Sequence, residues 1–144
     1  MAVNLAASRG FRAVEGLLLA FPIALFTTGL ATDIAYLKTA EVQWTNFSSW
    51  MITGALVFGG FAAALGLFSL VLGLRGPDRN ARAAYFGTLV LMWVLGLVNA
   101  FKHSQDGWSS VGGVGLTLSI LCSLLALIAG ILAFSGLTAR EIVR

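Results

Sequence analysis

Four side chains in this chain are equipped for chemistry: Asp33, His103, Cys122 and Glu15. All of them fall within or at the edge of long apolar runs. Asp33 stands in Ala31-Thr32-Asp33-Ile34-Ala35, about a turn from the end of the first run. A carboxylate at membrane depth is costly unless it is paired, hydrogen-bonded or protonated. Two readings follow, an interfacial acid that fixes the adjoining loops or a group that handles protons or a ligand. His103 is the single histidine and closes the third run ahead of Ser104-Gln105-Asp106-Gly107-Trp108. An imidazole there suits an axial haem ligand, a quinone hydrogen-bond donor or a metal ligand, against the plainer role of hydrogen-bonding a loop. One histidine cannot supply bis-histidine haem ligation. A second ligand would come from Met51, Met92, water or another chain. Asp33 and His103 belong to helix ends that point the same way, so they are expected to approach one another. With Tyr36, Lys102, Asp106 and Trp108 they form a candidate polar cluster at one boundary.

The other two carry less. Cys122 is the lone cysteine and sits deep in the fourth run, where a thiol is ordinarily inert packing. It permits neither an intrachain disulfide nor a cysteine metal cluster, and with His103 it makes no thiol protease. No catalytic set and no metal site is expected. Glu15, near the opposite end of the first run, is placed to snorkel or to pair with Arg12.

The elements that position these residues are four apolar runs, about 14–37, 49–74, 83–101 and 111–137. Each suffices for the roughly 20 helical residues that cross a hydrocarbon core about 30 Å thick. A chain of 144 residues that is 58% hydrophobic and 10% charged is suited to lipid. The expected fold is all-α and membrane-integral, a single domain over 1–144 with four helices in an up-down-up-down bundle. Gly76-Pro77 stops the second helix, and the short links make neighbours antiparallel. Pro22 removes one backbone hydrogen bond and predicts a bend near Leu18 to Pro22. The first run follows Arg9 and Arg12 as a secretory signal would, and is read as an uncleaved span.

Orientation follows from the basic residues. Arg9, Arg12, Arg75, Arg79, Arg82, Arg140 and Arg144 lie on one side of the runs, and only Lys38 and Lys102 on the other. The arginine side is therefore expected to be cytoplasmic, with both termini inside. Tyr36, Trp44, Phe47, Trp50 and Trp108 mark the outer boundary, and Phe11 and Tyr85 the inner one. The net charge of +3 is explained by topology, and no basic stripe with interleaved aromatics points to nucleic acid.

Seventeen glycines, several of them inside helices, point to close helix packing. Ala55, Gly59 and Ala63 are four apart, as are Gly60 and Ala64. Gly87 and Gly96 mark the third helix, and Gly112, Gly113, Gly115 and Gly130 the fourth. These seams serve packing inside the bundle or against another subunit.

Phe21-Pro22-Ile23-Ala24-Leu25, Asp33-Ile34-Ala35-Tyr36, Trp50 at the start of the second helix, and Asn99 with the segment from His103 to Trp108 resemble the bacterial membrane family known as domain of unknown function 2231. The resemblance covers roughly Gly16 to Gly136. It implies a small inner-membrane protein of about four helices. Members often carry His-Pro pairs shortly before Phe-Pro-Ile, which invite a haem or metal reading. This chain has Ala13-Val14-Glu15-Gly16 to Ala20 there, without a histidine. The leading expectation is thus a non-catalytic accessory or anchor subunit of the bacterial inner membrane, packing against other membrane-protein subunits with no cofactor of its own. The alternatives are a redox-linked protein with haem b or quinone contacted by His103 near the periplasmic face, and a proton-coupled carrier using Asp33.

Overall fold

The computed structural model describes residues 2–105 and 111–141, with side chains over 10–105 and 111–135. The chain forms four helices, α1 (Ala2–Thr39), α2 (Val42–Leu72), α3 (Arg79–His103) and α4 (Gly113–Glu141). Each includes a stretch long and apolar enough to cross a membrane. Each helix packs against its neighbours in the chain, and α4 returns to α1, closing a square bundle with α1 opposite α3 and α2 opposite α4.

The buried positions explain why these helices associate. They are Leu19, Pro22, Phe26, Gly29, Thr32, Asp33 and Tyr36 on α1, and Thr45, Ser48, Ile52, Ala55, Gly59, Ala62 and Gly66 on α2. On α3 they are Tyr85, Leu89, Met92, Gly96, Asn99 and His103, and on α4 Gly115, Ser119, Cys122, Ser123, Ala126, Ala129 and Gly130. Apart from Thr32, Ser123 and Gly130, which widen the seam by one neighbour each, every series steps alternately by three and four, the spacing that keeps a seam facing its neighbours along a bundle. Lipid is as apolar as leucine, so burial of oily side chains does not drive this association. Close van der Waals contact and interhelical hydrogen bonds do. Gly96 shows the contact term: a Cβ there would lie 2.8 Å from Phe26 Cζ and 3.0 Å from Leu56 Cδ2. The missing side chain admits the Phe26 ring across the bundle axis. Two hydrogen bonds tie adjacent helices at mid-depth, Trp93 Nε1 donating to the Leu56 carbonyl (3.0 Å) and Ser123 Oγ to that of Phe26 (3.0 Å).

Several expectations need adjustment. α2 starts at Val42, so its link from α1 is only Ala40 and Glu41 and Trp50 lies two turns inside the helix. Ala40 makes that corner in the left-handed region, with φ 57°, and its amide donates to the Tyr36 carbonyl at 2.8 Å. The close face of α2 runs through Ala55, Gly59 and Ala62, while Ala63 is half-buried at its flank. A strict four-residue step rotates about 40° around a helix of 3.6 residues per turn, so the third member of such a row drifts off the seam. α1 remains helical through Pro22, whose buried ring packs beside Gly59. Tyr36 and Tyr85 are buried in the bundle, whereas Trp44, Phe47 and Trp50 are exposed.

Candidate functional site

The site lies on the bundle axis, toward the end holding the α1–α2 corner, and takes one polar group or more from every helix. Asp33 of α1 and His103 of α3 meet across the diagonal, with Asp33 Oδ1 2.9 Å from His103 Nε2. Both side chains have no solvent-exposed surface. The second carboxylate oxygen, Oδ2, accepts from Ser119 Oγ of α4 at 2.5 Å. Ser119 in turn accepts from Asn99 Nδ2 of α3 at 2.9 Å. Ser48 Oγ of α2 lies 3.3 Å from His103 Nε2 and donates to the Gly29 carbonyl, also at 3.3 Å.

Hydrogen-bond accounting fixes most of the protons. His103 Nδ1 is 3.0 Å from the Asn99 carbonyl oxygen. A carbonyl only accepts, so Nδ1 carries a proton. The contact between Nε2 and Oδ1 then needs one further proton between two atoms that both have lone pairs. Ser48 directs its only proton to Gly29, so its oxygen accepts. The assignment that satisfies every contact of the His103 ring is an imidazolium donating from Nε2 to Asp33 and Ser48. The alternative, a protonated Asp33 donating to Nε2, also leaves the pair neutral overall. Net neutrality is what a sealed, low-dielectric site requires. Asn99 is oriented by the same logic. The Ser119 proton goes to Asp33, so the amide nitrogen must face Ser119, and the buried Asn99 Oδ1 is left without a partner.

Of the residues expected to cluster here, the structure brings together Asp33 and His103, and buries Tyr36 a turn beyond Asp33 on the same seam. Lys102 is directed elsewhere, its Nζ donating to Gln105 Oε1 at 2.7 Å on the exposed side. Asp106 and Trp108 lie outside the described residues. The sequence does not single out Ser48 and Ser119, and Asn99 stands out only through the family resemblance. The signal for all three was their place in the alternating three-and-four step, where a small polar residue replaces an apolar one. Among the described residues no group of three histidine, cysteine or acidic side chains is arranged to hold a metal. Cys122 is fully buried one turn from Ser119. The packing face of Ala55 and Gly59 lies deeper, where a Cβ on Gly59 would sit 3.2 Å from Met92 Cε.

Fold and site together define a polytopic membrane protein, a four-helix bundle cross-braced by a buried polar network. The chain belongs to the family described as predicted membrane protein (DUF2231), which matches residues 14–139. No curated protein and no solved structure matches it.

Proposed function

We propose that this chain is a non-catalytic accessory or anchor subunit, built to hold a fixed shape in the bilayer and to present its outer faces to other membrane-protein subunits. The observation that carries this reading is the full engagement of the Asp33–His103 pair. Both carboxylate oxygens of Asp33 and both ring nitrogens of His103 are engaged by protein groups. Such a network specifies which helices meet and in what register. As packed, His103 has no ring nitrogen to give to haem iron or to a quinone oxygen, so the redox reading gains no support from the geometry. The proposal includes no bound cofactor.

A partner surface is suggested by how the small residues divide. Gly59, Gly66 and Gly96 are consumed inside the bundle, whereas a Cβ on Gly87 of α3 would meet nothing within 4 Å. Glycine gains nothing from lipid and is useful where another helix approaches. The test compares Gly59→Leu with Gly87→Leu. Gly59→Leu should lower the melting temperature of the isolated chain. Gly87→Leu should leave it unchanged while abolishing recovery of a stoichiometric partner from native membranes. A Gly87→Leu chain that copurifies like the parent would refute this surface.

One observation favours a second reading, proton coupling at Asp33: its Oδ1 lies 2.9 Å from His103 Nε2, a separation across which a proton can pass. Proton release on detergent-solubilised protein, absent in Asp33→Asn, would support it.

A further inference from the structure

The opposite end of the bundle holds a cavity of about 400 Å³ that the polar network does not explain. That volume falls within the roughly 300 to 1,000 Å³ of small-molecule sites. Its apolar wall is made by Phe11, Phe68, Leu72, Leu132 and Phe134, and its polar wall by Arg12, Glu15, Asp78, Arg82 and Tyr85.

The polar wall is incomplete in a specific way. Arg82 is pinned through one nitrogen, Nη1, which donates to the Ser69 carbonyl (2.8 Å) and to Ser69 Oγ (2.9 Å). Its stem lies over Gly73, where a Cβ would come within 2.7 Å of Cδ and Nε. The guanidinium is thus held in place with Nη2 uncommitted. Glu15 feels Arg12 and Arg82 through space, yet no direct salt bridge joins it to either. Tyr85 is 8% exposed, and its hydroxyl faces Glu15 but completes no hydrogen bond. A buried phenol without a partner, beside a carboxylate and two separated guanidiniums, is a set of groups that an occupant would satisfy.

We propose that this cavity binds a phospholipid with a zwitterionic, primary-amine headgroup of the phosphoethanolamine type. Arg12 and Arg82 take the phosphodiester by charge-assisted hydrogen bonds, Glu15 takes the ammonium, and Tyr85 donates to a headgroup oxygen. The phenylalanine and leucine wall covers the glycerol and the start of the acyl chains. Charge selects the headgroup. Glu15 gives the cavity a negative group that an ammonium can meet and that a purely anionic headgroup cannot use. Glu15 needs N–H donors, which a trimethylated choline lacks. This inference is independent of the accessory-subunit reading, because it concerns the other end of the bundle and needs no partner chain.

The test is native mass spectrometry of the full chain in detergent, offered equimolar phosphatidylethanolamine, phosphatidylcholine and phosphatidylglycerol with identical acyl chains. One phosphatidylethanolamine should be retained per chain, roughly tenfold over either competitor, the value of one charge-assisted hydrogen bond. Glu15→Gln should erase the preference over phosphatidylcholine while leaving retention. Arg12→Gln should weaken retention of every phospholipid, and Arg75→Gln, at the loop outside the cavity, should behave like the parent. Melting temperatures near the parent's identify variants that remain folded, and the competition on the parent chain stands without them. Equal retention of the three lipids, a preference for phosphatidylglycerol, or an unchanged preference in Glu15→Gln would overturn the proposal.

Discussion

At the scale of single residues, the Asp33–His103 pair is the feature whose removal should be felt most. Truncating either partner leaves a buried ionisable group uncompensated, which in soluble proteins costs about 3 to 5 kcal/mol. Membrane interiors soften polar losses, since interhelical hydrogen bonds there average nearer 0.6 kcal/mol. Asp33→Ala and His103→Ala should therefore each destabilise the bundle by roughly 2 to 3 kcal/mol, between these limits. The double variant should cost little more than either single one, because removing both partners removes the orphaned group. Denaturant unfolding in mixed micelles measures this cycle, and additive losses would show that the two residues do not act as a pair. The acid and the histidine were legible in the sequence, because charge and imidazole stand out in apolar runs. Ser48, Asn99 and Ser119 were not, since a hydroxyl or amide on a helix usually satisfies itself on its own backbone, as Thr27, Thr53 and Thr117 do here. What distinguishes the network serines is which helix face they occupy.

At the scale of elements, the number, order and apolar character of the helices could be read from hydropathy, since four spans leave few other arrangements. The corner between α1 and α2 could not. It contains neither glycine nor proline, and Ala40 takes the left-handed conformation unaided. That conformation costs an L-residue about 1 to 2 kcal/mol, whereas glycine adopts it freely at an entropic cost of roughly 0.5 to 1 kcal/mol. Ala40→Gly should accordingly raise stability by about 0.5 to 1 kcal/mol, and a lower melting temperature would contradict this. Gly96 gives the opposite case. Alanine favours the helix by up to about 1 kcal/mol, but its methyl would meet the fully buried Phe26 ring at 2.8 Å. Overpacking of this kind costs about 1 to 3 kcal/mol. Gly96→Ala should therefore destabilise the bundle, and the double variant with Phe26→Leu should recover much of the loss. The same arithmetic separates a glycine at a helix crossing from one facing lipid, a distinction the sequence alone does not make.

At the scale of the whole molecule, the two ends of the bundle differ in charge and in chemistry. The end with the α2–α3 link carries Arg12, Arg75, Arg79 and Arg82 together with the cavity. The end with the α1–α2 corner carries Lys38 and Lys102 around the sealed Asp33 network. Basic residues in short links resist transfer across an energised membrane, so the arginine end should face the cytoplasm and the network should lie toward the outer leaflet. Cysteine labelling of intact cells tests this, provided the probe positions reach water. Thr45 is buried, so Asn46, exposed at the start of α2, is the proper outer position, and Asn80 the inner one. The native Cys122 is fully buried and should stay silent. Asn46→Cys should react with a membrane-impermeant maleimide in intact cells, and Asn80→Cys only after permeabilisation. The reverse pattern would invert the bundle and place the cavity's headgroup site in the outer leaflet, where its preferred lipid would have to be sought instead.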